Sequence, residues 1–312
     1  MSITRPTREK GALARFFDSD FFYAYRRSPI AIVSSLIAAI CLFGALLAPW
    51  IAPHNPFDLA SLNLLDSFKP PAFMAEGERA YPLGTDDQGR DMLSGIMYGA
   101  RISLEVGILS VALALVVGVS LGLLAGYLGG TVDAVLMRMA DVQLTFPSIL
   151  IALLVDGIAR ALLPRELHEA LELYVLVFAI GIALWPQFAR TVRGSTLVER
   201  GREYVMAARV IGLSSPRIML SHILPNVLGP VLVIATINLG QAIIAEATLS
   251  FLGVGLPPTQ PSLGTLIRIG NDFLFSGEWW ITVFPGIGLA VMVLAINLLG
   301  DWLRDALNPR LR

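Results

Sequence analysis

Long apolar runs separated by short polar segments dominate the pattern of this chain. A helix needs about 20 apolar residues to cross a hydrocarbon core of about 30 Å. The third run, 142–155, is short, and extending it back to residue 137 gives a spanning length. The predicted spans are 28–53, 106–132, 137–155, 173–189, 223–245 and 279–300. Because the runs are continuous and not alternating, they predict an all-α membrane protein with six transmembrane helices.

The basic residues are distributed unevenly between the two sides of this predicted bundle. Sixteen of the 23 Lys and Arg residues fall in the N-terminal arm, at the start of the third span, in the loop after the fourth span and in the C-terminal tail. Cytoplasmic segments of membrane proteins carry an excess of Lys and Arg. The asymmetry therefore predicts that both termini face the cytoplasm.

The spans divide the chain into five parts. The first span follows a charged arm and is too long for the apolar region of a signal peptide, so we expect a retained anchor. The predicted parts are a cytoplasmic arm at 1–27, a first transmembrane anchor at 28–53, an extracytoplasmic segment at 54–100, a five-helix core at 101–303 with a cytoplasmic loop at 190–222, and a cytoplasmic tail at 304–312.

Composition and motifs argue against a catalytic role. Only 15% of the residues are charged, compared with about 25% in an average soluble domain. The single Cys41 cannot form an internal disulfide, and the three histidines lie outside any His-Glu-x-x-His pattern. No Walker loop occurs in the sequence. We therefore expect no catalytic, cofactor or metal site in this chain.

The polar and small residues inside the predicted spans are few enough to consider singly. Arg138 and Asp141 lie three residues apart, which predicts a local ion pair near the cytoplasmic boundary. Glu246 lies late in the fifth span, where it either contacts substrate in the path or faces water. No chain of buried acids and bases is visible, which argues against a secondary transporter. Three glycines four residues apart predict close helix packing: Gly118, Gly122 and Gly126.

The cytoplasmic loop after the fourth span is long and strongly basic. Residues 202–211 contain good helix formers and no breaker. Gly212 is a natural C-terminal stop, and we expect Ser215 to cap a new helix that has Pro216 at its first position. Helical spacing places three residues on one face: Tyr204, Ala208 and Ile211. From the residues alone, this helix either docks against a partner or lies on the membrane surface with its arginines near lipid phosphates.

This loop resembles a known sequence pattern. Ala207-Ala208-x-x-x-Gly212 followed by Leu224-Pro225 is similar to the EAA loop of ABC-importer permeases, with Met206 in place of the Glu of that pattern. Further motifs resemble the C-type permeases of dipeptide and oligopeptide systems, and they lie at 83–91, 98–103, 126–147, 249–258 and 300–309. The resemblance extends from about residue 20 to the end of the sequence.

The resemblance implies the type I ABC-importer permease fold, with six transmembrane helices in a bacterial inner membrane. It implies that this chain and a second, homologous permease enclose a path for di- and oligopeptides. Two ABC ATPase subunits would bind ATP and Mg²⁺ and hydrolyse the nucleotide, and an extracytoplasmic binding protein would deliver the peptide. This chain would itself be non-catalytic, hold no cofactor and bind no nucleic acid.

In that family the EAA loop forms a coupling helix that enters a cleft on the ATPase. The resemblance therefore implies a docking surface that comprises Glu203, Tyr204, Ala207, Ala208 and Gly212. Arg209 is the expected partner for an acidic group. The cargo stays open, because a nickel complex, glutathione, an opine or a modified peptide is the alternative on the same fold. A secondary transporter is the more distant alternative.

Overall fold

The computed structural model describes residues 20–58, 62–257 and 259–307. Apart from a 3₁₀ turn, one isolated β-bridge and a π-helical turn, the regular structure in these ranges is α-helical. The helices are α1 (Asp20–Arg27), α2 (Pro29–Leu46), α3 (Ala48–Ile51), α4 (Met92–Leu128), α5 (Gly130–Leu144), α6 (Ser148–Leu162), α7 (Arg165–Glu199), α8 (Glu203–Val210), α9 (Ser215–Ile218), α10 (Leu224–Phe251), α11 (Leu263–Asn271) and α12 (Trp280–Leu307).

Five helical segments are long and apolar enough to cross a membrane, or six when one bent pair of helices is counted as a span. The predicted helical class is thereby confirmed, and the predicted number of six spans is reached when the bent pair is counted as one span. Residues 1–19 of the predicted arm and residues 308–312 of the predicted tail lie outside the described residues.

Two spans are longer than the apolar runs that predict them. α4 contains 37 residues and α7 contains 35, so at 1.5 Å per residue each exceeds about 50 Å and projects beyond the hydrocarbon core. α4 begins after Asp91, whose carboxylate accepts a hydrogen bond from the backbone N–H of Ser94 at 2.8 Å. This N-cap starts the helix within the segment predicted as 54–100.

The third span differs from the prediction of one continuous helix, which is wrong. α5 and α6 meet at a bend of 95°. Pro147 lies at the bend, where it lacks an N–H for a helical hydrogen bond and disfavours helical backbone at the preceding Phe146. The span therefore consists of two helices that leave the bend in different directions.

The contact between α4 and α7 forms the centre of the bundle. Glycines of α4 face α7 so closely that a methyl group added to them would clash. An added Cβ would lie 2.4 Å from Cβ of Phe188 at Gly118, and 2.6 Å from the carbonyl oxygen of Ala189 at Gly122. Gly126 meets the same helix further along. The predicted close packing is confirmed, and it brings the ends of α4 and α7 together.

Ion pairs connect α5 to α7. Nη2 of Arg193 donates to Asp133 at 2.6 Å, and Nε of the same arginine donates to the other carboxylate oxygen. Asp141 lies 3.9 Å from Nη1 of Arg190. Asp141 thus faces α7, and the predicted partner Arg138 is not among the ion-paired residues of the described ranges.

The segment between the first two spans folds onto the end of the bundle that is opposite α8. Nε1 of Trp280, at the start of α12, donates to the carbonyl oxygen of Thr85 at 3.0 Å. The buried Arg90 donates from Nε to the buried Asp86 at 2.6 Å. The first contact fixes the segment to the start of α12, and the second closes a turn of the segment just before α4.

Candidate functional site

The basic loop after α7 folds into a short helix and a sharp turn, as predicted. Gly212 adopts a φ of +80° after the last turn of α8. Its N–H and that of Leu213 both donate to carbonyl oxygens of α8, which is the Schellman arrangement that ends a helix at a left-handed glycine. The next helix begins at Ser215, with Ser214 at the N-cap position and without a side-chain capping bond, so the expected capping role of Ser215 is wrong.

The inner face of α8 packs against the ends of the long helices. Val205 is buried, and Ala208 is only 3% exposed. Both belong to an apolar cluster that includes side chains of α4, α7, α9, α10 and the π-helical turn. The other buried members of this cluster are Val119, Leu123, Tyr127, Val192, Ile218, Ile223, Val227 and Val231. Since this cluster is closely packed, a displacement of α8 has to move the attached helix ends or disrupt the packing.

Tyr204 connects the first turn of α8 to the helices on both sides of the loop. Its hydroxyl donates to Oε2 of Glu199 in α7 at 2.7 Å and accepts from Nδ2 of Asn226 in α10 at 3.2 Å. Desolvation and the hydrogen bond to Glu199 raise the pKa of Tyr204 to about 12. The phenol therefore stays protonated, and remains a donor, throughout the physiological pH range.

Two arginines connect the loop to the end of α4. Nη1 of Arg200 donates to the carbonyl oxygens of Gly126 and Tyr127, at 3.0 and 3.1 Å. Carbonyls in the last turn have no partner within the helix, and a cation there is favourable. The guanidinium of Arg209 lies 5.0 Å from the centroid of the Tyr127 ring, which is a cation–π contact. Arg209, expected to face an acidic group, thus contacts this chain.

The outer face of α8 is apolar and exposed. Val210 is 87% exposed, Ile211 is 74% exposed and Met206 is 49% exposed. Ala207 lies among them and is exposed as well. Single exposed apolar residues are common on protein surfaces, but neighbouring ones form a patch that is typical of an interaction site. We call the surface of Met206, Ala207, Val210 and Ile211 the outer face.

The predicted docking residues are therefore divided between two faces. Glu203, Tyr204, Ala207 and Gly212 are exposed, as a docking surface requires. Ala208 is buried against the chain's own cluster, so its assignment to that surface is wrong.

Most of the outer face lies outside the docking surface predicted from the sequence. Met206 and Val210 are four residues apart, as are Ala207 and Ile211, so both pairs lie on one helical face. Val205 and Ala208 are three residues apart and form the buried side, but Ala207 and Val210 have the same spacing and are exposed, so local spacing does not distinguish the two sides. The predicted face through Tyr204, Ala208 and Ile211 combines one buried residue with two exposed ones.

Glu246, the other predicted site residue, lies inside the bundle. Its side chain is 0% exposed, so the interpretation in which it faces water is wrong. Ser103 of α4 donates to Oε2 at 2.6 Å, and Ser250 of α10 donates to Oε1 at 2.8 Å. Oγ of Ser103 also accepts from the backbone N–H of Leu263, the first residue of α11, at 3.4 Å. In this conformation the carboxylate and Ser103 together connect α4, α10 and the start of α11.

Two sequence families match the chain. Residues 118–312 match the family described as binding-protein-dependent transport system inner membrane component. Residues 17–71 match the family described as the N-terminal transmembrane domain of oligopeptide transport permease C. The first match contains α8 with its outer face, and also Glu246.

Curated relatives match nearly the whole chain. The dipeptide transport system permease protein DppC of Escherichia coli K12 is 43% identical over 293 residues, covering 94% of this chain and 93% of that protein. The Haemophilus influenzae protein of the same name is 37% identical, covering 94% and 95%. The di/tripeptide transport system permease protein DppC of Pseudomonas aeruginosa is also 37% identical, covering 94% and 92%.

The fold is similar to that of a solved transporter. Inward-facing conformations of the MetNI methionine ABC transporter include a chain that aligns with a TM-score of 0.55 at 19% identity, covering 70% of this chain and 98% of that chain. At this identity the likeness shows the fold alone, which is that of an ABC transporter permease. The resemblance seen in the sequence motifs is confirmed, and the chain belongs to the family of binding-protein-dependent transport system inner membrane components.

Proposed function

We propose that this chain is a permease subunit of an ATP-driven importer of dipeptides and oligopeptides. It is a multi-pass protein of the inner membrane, with both termini in the cytoplasm. In this orientation α8 lies on the cytoplasmic side and residues 54–91 lie outside. The excess of Lys and Arg in the segments assigned to the cytoplasm supports the orientation.

The outer face of α8 carries the proposal. An exposed apolar helix face suits a hydrophobic groove on a partner. The partner that we propose is an ABC ATPase, with two copies beneath the two permeases. These ATPases bind ATP and Mg²⁺, and this chain supplies the surface through which their movement reaches the membrane.

The packing around α8 provides a physical route for that movement. The buried cluster joins α8 to the ends of α4, α7 and α10, while Arg200 and Tyr204 add polar connections. When ATP binding closes the ATPase dimer, α8 is displaced and the attached helices move as a rigid body. We assign Glu246 a positioning role near the outer end of the path, where it and Ser103 hold α4, α10 and α11 together.

The relatives support a peptide cargo, because their names specify dipeptide or di/tripeptide transport. A second, homologous permease would complete the translocation path. An extracytoplasmic binding protein would deliver the peptide to the outer side of the two permeases.

Reconstitution tests this function. Proteoliposomes that contain both permeases, the two ATPases and the binding protein should accumulate radiolabelled dialanine only when ATP is supplied. Val210→Asp places a charge on the outer face, so this variant should pair with the second permease but lose uptake and ATPase stimulation. Uptake by Val210→Asp at the wild-type rate, or uptake by vesicles without the ATPases, would contradict the proposal.

A further inference from the structure

A cavity of about 980 Å³ lies at the end of the bundle opposite α8. One wall is the turn from α6 into α7, and the other is the loop that follows α10, including Leu256 and Gln260. The volume is within the range of cavities that bind small organic ligands. Five ionisable side chains of α6 and α7 line this cavity: Arg160, Arg165, His168, Glu169 and Glu172.

The wall carries charges of both signs that only partly satisfy one another. Nε of Arg160 donates to Asp156 at 2.7 Å. Nη2 of the same arginine lies 3.7 Å from Oε1 of Glu172, a distance at which charges attract but do not hydrogen-bond. The guanidinium and the carboxylate of Glu172 therefore face the cavity as a separated pair of opposite charges.

A buried histidine adds an unmet hydrogen-bonding group to the same wall. His168 is buried and lines the cavity, and its Nε2 has no hydrogen-bond partner within the described residues. Oδ1 of Asp156 lies 3.6 Å from this nitrogen, beyond hydrogen-bond distance. A buried polar atom without a partner costs free energy, so a site that leaves one beside a cavity is suited to a polar ligand.

The pattern of charges favours one class of ligand. A simple anion would meet the carboxylates of Glu169 and Glu172, and a simple cation would meet the guanidinium groups of Arg160 and Arg165, because all four side chains line the cavity. A small zwitterion satisfies both signs, since its carboxylate can bind the fork of the arginine and its ammonium can bind the glutamate. We propose that the cavity binds the charged termini of a short peptide, with the carboxylate on Arg160, the ammonium on Glu172 and a peptide amide at His168. This inference rests on the proposed peptide cargo.

Direct binding to the assembled transporter tests the inference without transport. The complex of both permeases and both ATPases, without binding protein or ATP, is equilibrated with radiolabelled L-alanyl-L-alanine by dialysis. N-acetyl-dialanine lacks the ammonium and dialanine amide lacks the carboxylate, so each should bind about tenfold more weakly or worse. Arg160→Gln and Glu172→Gln should each weaken dialanine binding by a similar factor. Arg79→Gln and Glu76→Gln change the same charges at exposed positions outside the cavity, and should bind as wild type.

The variants also give a readout that general damage to the fold does not produce. Glu172→Gln should bind dialanine and N-acetyl-dialanine equally, because the group that recognises the ammonium is gone. Equal binding of the free and blocked peptides by the wild-type complex would overturn the inference, as would unchanged affinity in Arg160→Gln and Glu172→Gln. Dialanine uptake is measured in parallel. Uptake without direct binding overturns this inference alone, whereas an assembled, ATP-hydrolysing transporter that takes up no peptide contradicts the proposed function.

Discussion

Two neighbouring alanines of α8 allow the packing function of the helix to be separated from its docking function. Ala207 and Ala208 have the same size and the same helical backbone, but Ala207 is exposed on the outer face and Ala208 is 3% exposed within the cluster. Replacing each with Leu adds the same volume on opposite sides of the helix. The two substitutions should therefore have different effects.

The magnitudes follow from the environment of each side chain. Leucine at 208 overpacks a cluster made of Val205, Val192 and their neighbours, so Ala208→Leu should lower the free energy of unfolding by about 1–3 kcal/mol. Leucine at 207 meets only solvent in the isolated chain, so Ala207→Leu should change it by less than about 0.5 kcal/mol. At a packed contact with the ATPase, however, the same leucine would cost about 1–3 kcal/mol, which weakens binding roughly 5- to 150-fold.

Two assays distinguish these outcomes. Denaturant unfolding of the detergent-solubilised chain reports packing, and titration of the permease pair with its ATPases reports docking. Ala207→Leu should fail only in the second assay, and Ala207→Ser, which stays small, should behave as wild type in both. The reasoning is refuted if Ala208→Leu is as stable as wild type, or if Ala207→Leu binds the ATPases with unchanged affinity.

Three further predictions use matched variants. Gly212 has a φ of +80°, and a Cβ there would meet no atom within 4 Å, so Gly212→Val should destabilise the loop by about 1–2 kcal/mol through backbone strain alone, whereas Asn tolerates this conformation. Gly212→Asn should therefore retain more ATP-driven uptake than Gly212→Val, and equal loss in the two variants would contradict a strain origin. Gly122→Ala should destabilise the bundle by about 1–3 kcal/mol because the added methyl group would clash with the backbone of Ala189. Gly194 on α7 has open space at the same position, so the Gly194→Ala variant should unfold no more easily than wild type. Arg200→Gln removes both hydrogen bonds that Nη1 donates to the end of α4, so it should lower the free energy of unfolding by about 1.5–3 kcal/mol. Arg202→Gln loses only a contact of 3.9 Å to Glu199 and should stay within about 1 kcal/mol of wild type; similar losses in the two variants would instead favour a lipid-surface role of the loop.

The parts of the structure that local sequence specifies are predicted well. Apolar runs locate the spans because a membrane requires length and hydropathy, which can be read directly from the sequence. Gly212 and the propensities of residues 202–211 define α8 and its end, and the spacing of Gly118, Gly122 and Gly126 reveals a packed face. All three predictions depend on near neighbours in the chain.

The remaining features depend on contacts between distant residues. The sequence of α8 contains apolar residues on several sides, so only the position of α4 and α7 decides that Ala208 is buried and that Val210 is exposed. The serines around Glu246 come from positions 143 residues away and 4 residues away, and the first of these cannot be found by local pattern. The cavity beside Arg160 likewise needs a loop from the far side of α10.

The central claim is that the outer face of α8 contacts the ATPases, and protection of a cysteine at Val210 measures it most directly. In a Cys41→Ala background, Val210→Cys would be labelled with a membrane-impermeant maleimide in inside-out vesicles, with and without bound ATPases. Phe73→Cys, an exposed position on the opposite side of the membrane, serves as the reference after the vesicles are permeabilised. The account predicts that the ATPases slow labelling at position 210 about tenfold or more and leave position 73 unchanged. Equal labelling rates at position 210 with and without the ATPases would contradict it.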